Sequence, residues 1–119
     1  MKNKTNKVLI VDDSKSSAIL LEYMVKQLNL EFKTVSDGEI AIKENLHEYD
    51  VVFMDIEMPV MNGLETTKYI RDKLLSDIPI VAVTSHNPED FDELRAYGFT
   101  YMLSKPIHFE GLKLLIKNI

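Results

Sequence analysis

An acidic pair, Asp12-Asp13, a single carboxylate at Asp55, a hydroxyl at Thr84 and an ammonium at Lys105 each stand at the end of a short apolar run. Three carboxylates brought close together repel, and each raises the cost of ionising the next unless a cation is present. Mg²⁺ answers that need: it is a hard ion that takes a few carboxylates, waters and phosphate oxygens at ~2.0 to 2.1 Å. Beside such an ion a carboxylate oxygen can act as nucleophile toward a phosphoryl group. The ammonium and the hydroxyl can then neutralise and hydrogen-bond the transferring oxygens.

This chemistry requires that the fold bring the five residues together. Val51-Val52-Phe53-Met54 is an apolar run between Asp50 and the Met58-Pro59 turn, and reads as a strand buried on both faces with Asp55 at its C-terminal end. Lys7-Val8-Leu9-Ile10-Val11 is a strand of the same kind that runs into Asp12-Asp13-Ser14, a turn rich in capping residues. Residues 32–35, 79–84 and 100–103 supply three more strands, the last two leading to Thr84 and to Ser104-Lys105-Pro106. Between them lie helices over residues 14–28, from 36–39 to about 47, from 62–63 to about 75, from 87–89 to about 97, and over 108–117. Ala18, Leu21, Val25 and Leu28 form the core stripe of the first helix, with Ile19, Leu20, Tyr23 and Met24 beside it. Leu64, Thr67, Tyr69, Ile70 and Leu74 form the apolar side of the third, Asn87 caps the fourth, and Gly98 stops it.

Strands and helices alternating over short connections make a doubly wound α/β domain with a five-stranded parallel sheet, and right-handed crossovers favour the order 2-1-3-4-5. Asp12, Asp13, Asp55, Thr84 and Lys105 then converge on the C-terminal edge of the sheet, where such folds bind ligands. Singly, Asp12-Asp13 reads as a helix cap, Thr84 as a turn hydroxyl and Lys105 as a solvated amine. The constellation is what turns them into a site. Gly63 and Pro59 serve backbone geometry. His47, His86 and His108 fall on separate elements without metal-ligand spacing and read as surface residues.

The 119 residues fit one domain, 1–119, long enough to bury roughly two-thirds of the unfolded chain's surface without staples. There is no cysteine, no apolar run near membrane-spanning length and no signal-peptide pattern, so a cytoplasmic protein without membrane insertion is the expectation. A net charge of −5 with no basic block argues against direct nucleic-acid binding by this chain.

Leu9-Ile10-Val11-Asp12-Asp13-Ser14, the run from Met54-Asp55 through Glu57-Met58-Pro59 to Asn62-Gly63, Val83-Thr84, and Leu103-Ser104-Lys105-Pro106-Ile107 match in order and spacing the motifs of a known family. Over nearly its full length the chain resembles a response-regulator receiver domain of two-component or phosphorelay signalling, stand-alone or from a hybrid histidine kinase, with a (βα)5 flavodoxin-like fold. The resemblance implies that Asp55 is the phosphoacceptor, and that Asp13, Asp55 and the Glu57 backbone carbonyl bind Mg²⁺ with help from Asp12. It implies a cis peptide between Lys105 and Pro106, and a phosphoryl donor that is a histidine kinase or a histidine phosphotransfer protein. On phosphorylation Thr84 would swing toward the phosphoryl group and rearrange the surface of helix four, strand five and helix five. That surface would serve a downstream protein or a homodimer.

One departure stands out. The family often places Tyr or Phe three residues before the Lys, where this chain has Met102, with Tyr101 one place earlier and on the opposite face. The coupling of Thr84 to an aromatic is then weakened, or carried by Met102. Glu57 and His86 flank the presumed phosphoryl position and are expected to tune the lifetime of the phosphoaspartate. Phe91, Tyr97, Phe99 and Tyr101 are either core residues or an aromatic-bearing interaction face. The sequence therefore reads as a self-phosphorylating switch and not as a turnover enzyme. The alternatives are a phosphorylation-independent interaction domain, which the complete residue set opposes, and a metal-dependent phosphatase or mutase. For the latter Glu57 is a poor second acid, and the length leaves no room for a cap domain.

Overall fold

In the computed structural model, which describes residues 5–58, 61–85 and 88–119, β-branched and aliphatic runs form five parallel strands. They are β1 (Lys7–Val11), β2 (Glu31–Val35), β3 (Val51–Asp55), β4 (Ile80–Thr84) and β5 (Tyr101–Ser104), ordered β2-β1-β3-β4-β5. Alternation along the strands builds two cores. Leu9, Val11, Val52, Met54, Ile80 and Ala82 face one side with Ile70 and Leu94, while Val8, Ile10, Val51, Phe53, Val81 and Val83 face the other with Leu21, Val25 and Leu112. Every residue of β3 and β4 is buried, as a parallel sheet covered on both faces requires.

The helices are α1 (Lys15–Gln27), α2 (Gly38–Ala41), α3 (Gly63–Asp72), α4 (Phe91–Tyr97) and α5 (Phe109–Asn118). In α1, Ser14 is the N-cap, and the buried stripe is Ala18, Leu21, Met24 and Val25. Met24 is thus core, whereas Ile19, Leu20 and Tyr23 remain exposed. The second helix is far shorter than its periodicity suggests. After Ala41 the bonds tighten to the i−3 pattern, with Lys43 N–H on Ile40 O and Glu44 N–H on Ala41 O, each 3.1 Å. The Asn45 side chain then accepts from His47 N–H and starts a separate 3-10 turn over Leu46–Glu48.

A reciprocal capping box opens α3: Asn62 Oδ1 accepts from Glu65 N–H at 3.0 Å, and Glu65 Oε1 accepts from Asn62 N–H at 3.1 Å. The helix ends at Asp72, short of Leu75: Lys73 N–H still makes the helical bond to Tyr69 O, but Leu74 N–H takes the same oxygen in place of Ile70 O, and Leu75 adopts a left-handed φ of 52°. Leu74 and Leu75 are consequently exposed, and Tyr69 is partly so. A 3-10 turn over Pro88–Asp90 precedes α4, and Gly98 terminates α4 with φ 111°. Among the described residues no helix is long and apolar enough to cross a membrane.

Candidate functional site

The register of the sheet aligns the strand ends that carry the polar residues. Asp55 pairs with Val83 across β3 and β4, Thr84 pairs with Ser104 across β4 and β5, and Lys105 N–H donates to Thr84 O at 2.8 Å. Carboxylate oxygens of Asp12, Asp13 and Asp55 lie within 4.8 Å of one another, with Asp12 and Asp55 buried and Asp13 exposed. Lys105 Nζ donates to Asp55 Oδ1 at 3.2 Å, and the same oxygen accepts from Glu57 N–H at 3.1 Å. Asp12 combines two roles, because its Oδ1 also accepts from Ser14 N–H at 2.9 Å and shapes the turn into α1. The peptide between Lys105 and Pro106 is cis.

Burial first, and the charge of Asp12 second, push the Asp55 carboxyl up to about 6; Lys105 opposes them without cancelling them. Three acidic oxygen donors, two of them buried, with the Lys105 ammonium to offset them, carry an excess of negative charge that a small hard cation would neutralise. The donor set therefore fits a divalent oxygen-seeking metal. An apolar cleft beside Asp55, lined in part by Ile10, Leu20, Phe53, Lys105 and Pro106, lies at the same edge.

Thr84 is fully buried, and its hydroxyl donates to Glu57 Oε2 at 3.0 Å. Sequence reading placed Glu57 near the site but gave no hint of this contact, since nothing local marks a pair 27 residues apart. His86, Asn87 and Pro59 lie outside the described residues. His47 and His108 are both exposed, His47 in the 3-10 turn and His108 at the N-cap of α5, and neither joins the acidic group.

Tyr101 and Met102 do diverge: Tyr101 packs with the core under α1 and α5, Met102 with the core under α3 and α4. Of the other aromatics, Phe99 is core, Phe91 is half-buried against the same core as Met102, and Tyr97 is exposed. The interaction-face reading thus loses Phe99 and keeps Tyr97, with Phe91, Tyr101 and Met102 lining one shallow groove at the β5 edge. Arg71 was not singled out by sequence. Its guanidinium donates to Gly98 O, Ser76 O and Ile78 O at 2.9, 3.0 and 2.7 Å, and to Thr100 Oγ1 at 3.2 Å, tying α3 to the chain that enters β5.

Residues 8–117 match the family described as the response regulator receiver domain. Over 112 residues the chain is 33% identical to the autoinducer 2 sensor kinase/phosphatase LuxQ of Vibrio cholerae, covering 92% of this chain and 13% of that protein. It thus spans about an eighth of the length of that curated relative. The chemotaxis protein CheY4 of Vibrio cholerae superposes with a TM-score of 0.82 at 32% identity, covering 97% of this chain and 98% of that one. The receiver domain of a sensor histidine kinase from Pseudomonas aeruginosa superposes with a TM-score of 0.81 at 25% identity, covering 96% of each chain. That structure has a magnesium ion coordinated in its active site cleft.

Proposed function

This chain belongs to the response regulator receiver domain family of two-component and phosphorelay signalling, and from that membership we propose that Asp55 accepts a phosphoryl group from a phosphohistidine donor. The observation that carries the proposal is the setting of Asp55. It is buried at a strand's C-terminal end, bonded to the Lys105 ammonium at 3.2 Å and grouped with Asp12 and Asp13. A carboxylate oxygen of Asp55 attacks phosphorus, the new O–P bond forms an acyl phosphate, and the bond from phosphorus to the donor's imidazole nitrogen breaks with its electron pair left on nitrogen. Lys105 steadies the transferring oxygens, and Thr84 supplies a hydroxyl donor once the group is in place. Asp12, Asp13, Asp55 and the Glu57 backbone carbonyl would hold Mg²⁺, which when bound offsets the negative charge of carboxylates and phosphoryl together.

The product is a switch: phosphorylation adds about −1.5 to −2 charges at the edge of the sheet and biases the surface of α4, β5 and α5. Its lifetime ends by slow hydrolysis, so the domain is not a turnover enzyme. The phosphodonor is a histidine kinase or a histidine phosphotransfer protein. The exposed Ile19, Leu20 and Tyr23 of α1, beside the cleft at Asp55, supply an apolar face for its helix.

Mass spectrometry after incubation with acetyl phosphate and Mg²⁺ tests this. A single addition of about 80 Da, the mass of one phosphoryl group, should be present in the wild type and absent in Asp55→Asn and with a chelator. Failure of the wild type to gain it from acetyl phosphate and from a phosphohistidine protein, together with failure to bind Mg²⁺ and beryllofluoride, would leave a phosphorylation-independent interaction domain.

A further inference from the structure

We infer that Glu57 is a latch on the Thr84 hydroxyl, holding it in the unphosphorylated protein and setting how readily the switch is thrown. The inference rests on the reading of Asp55 as phosphoacceptor and adds a positioning residue to it. Thr84 is fully buried, and its Oγ1 donates to Glu57 Oε2 at 3.0 Å. Glu57 is exposed, but its main chain is pinned, because its N–H donates to Asp55 Oδ1 at 3.1 Å. One residue therefore touches both the carboxylate to be modified and the hydroxyl that must respond.

A threonine hydroxyl carries a single hydrogen to donate. It cannot serve the Glu57 carboxylate and a phosphoryl oxygen at full strength together. A bond to a charged acceptor is roughly twice as strong as a neutral one, and water competes poorly for a buried donor. Recruiting Thr84 to the phosphoryl group thus includes the cost of breaking this bond. The arriving charge of about −1.5 to −2 also repels the Glu57 carboxylate two residues along the chain. Any anion that binds only the released form is weakened by the fraction of molecules still latched.

Two measurements on the full chain test the latch. In the metal-free protein, NMR of the Thr84 side chain should give a single χ1 rotamer in the wild type and averaging in Glu57→Ala. A rotamer unchanged by Glu57→Ala would overturn the latch whether or not the site takes phosphate. With Mg²⁺ present, beryllofluoride, a phosphoryl mimic, should bind roughly tenfold tighter to Glu57→Ala than to the wild type. Glu57→Gln should fall between them, because its amide oxygen still accepts without charge. In a Thr84→Val background the gain should shrink to less than twofold, since no hydroxyl remains to be held. Equal gains with and without the Thr84 hydroxyl would mean plain charge repulsion and would refute the latch, as would no gain at all. A wild type that binds neither Mg²⁺ nor beryllofluoride would instead count against the proposed function, while the metal-free NMR still decides the latch.

Discussion

Asp55 carries a stability penalty whose size and pH window follow from its setting. Its carboxyl is raised from 3.8 to about 6, by burial above all and then by Asp12, with Lys105 opposing. Well below 3.8 the group is protonated in the folded and the unfolded chain, and the penalty is absent. Between 3.8 and about 6 the unfolded chain ionises first, so folding stability falls as pH rises. Above about 6 both states are ionised and the whole difference, about 3 kcal/mol, is lost from folding. Asp55→Asn abolishes the charge while its side-chain oxygen can still accept from Lys105 Nζ and Glu57 N–H, the two donors bonded to Asp55 Oδ1. Measured by urea unfolding with a chelator present, the variant should exceed the wild type in stability by roughly half of that difference at pH 5 and by the whole of it at pH 8. Carboxylates away from the site contribute alike to both proteins, so the difference reports Asp55 in its setting beside Asp12. Adding Mg²⁺ at pH 8 should narrow the gap, because a bound cation relieves the repulsion on the Asp55 carboxylate, which the variant lacks. A gap that is constant from pH 5 to 8, or a wild type more stable than Asp55→Asn at pH 8, would refute the argument.

Three other perturbations address the scaffold. A Cβ on Gly63 would run into Asp55 O and lie 2.7 Å from Ile56 Cα, so Gly63→Ala must push α3 off the end of β3. The expected cost is about 1 to 3 kcal/mol by urea unfolding, with weaker Mg²⁺ binding by titration because Asp55 moves; an unchanged midpoint would contradict the close approach. Arg71→Ala removes the guanidinium from three carbonyls and from Thr100 Oγ1, and should cost about 2 to 4 kcal/mol. Arg71→Lys should fail to restore it, since an ammonium cannot reproduce the planar fork. Met102→Ala empties part of the core beneath α3 and α4, and should reduce the NMR shift changes at β5 on beryllofluoride binding; changes equal to wild type would show that Met102 does not carry the signal from Thr84.

Much of this protein is written locally. The identity of β1, β3 and β4 follows from uninterrupted β-branched and aliphatic runs, strand order from right-handed crossovers, and the stop after α4 from a glycine free to adopt φ 111°. Those features alone carry Asp12, Asp13, Asp55, Thr84 and Lys105 to one edge, because each lies at or just beyond the C-terminal end of a strand whose direction the topology dictates. Periodicity misjudged the helices where side chains compete with the helical ladder. Asn45 starts its own turn and ends any continuation of α2, and Leu75 turns left-handed beyond the last turn of α3.

Tertiary structure decided the remainder. Met24 and Phe99 are core because an opposing sheet surface covers them, whereas Ile19, Leu20 and Tyr23, equally apolar, meet no such surface. Arg71 finds its carbonyl partners up to 27 residues away, and Glu57 finds the Thr84 hydroxyl across the same separation. Residue type and spacing specify where a backbone runs, since φ/ψ preferences and capping act over a few residues. Which donor meets which acceptor between distant segments depends on how two strand ends and their loops pack, and only the folded chain contains that distance.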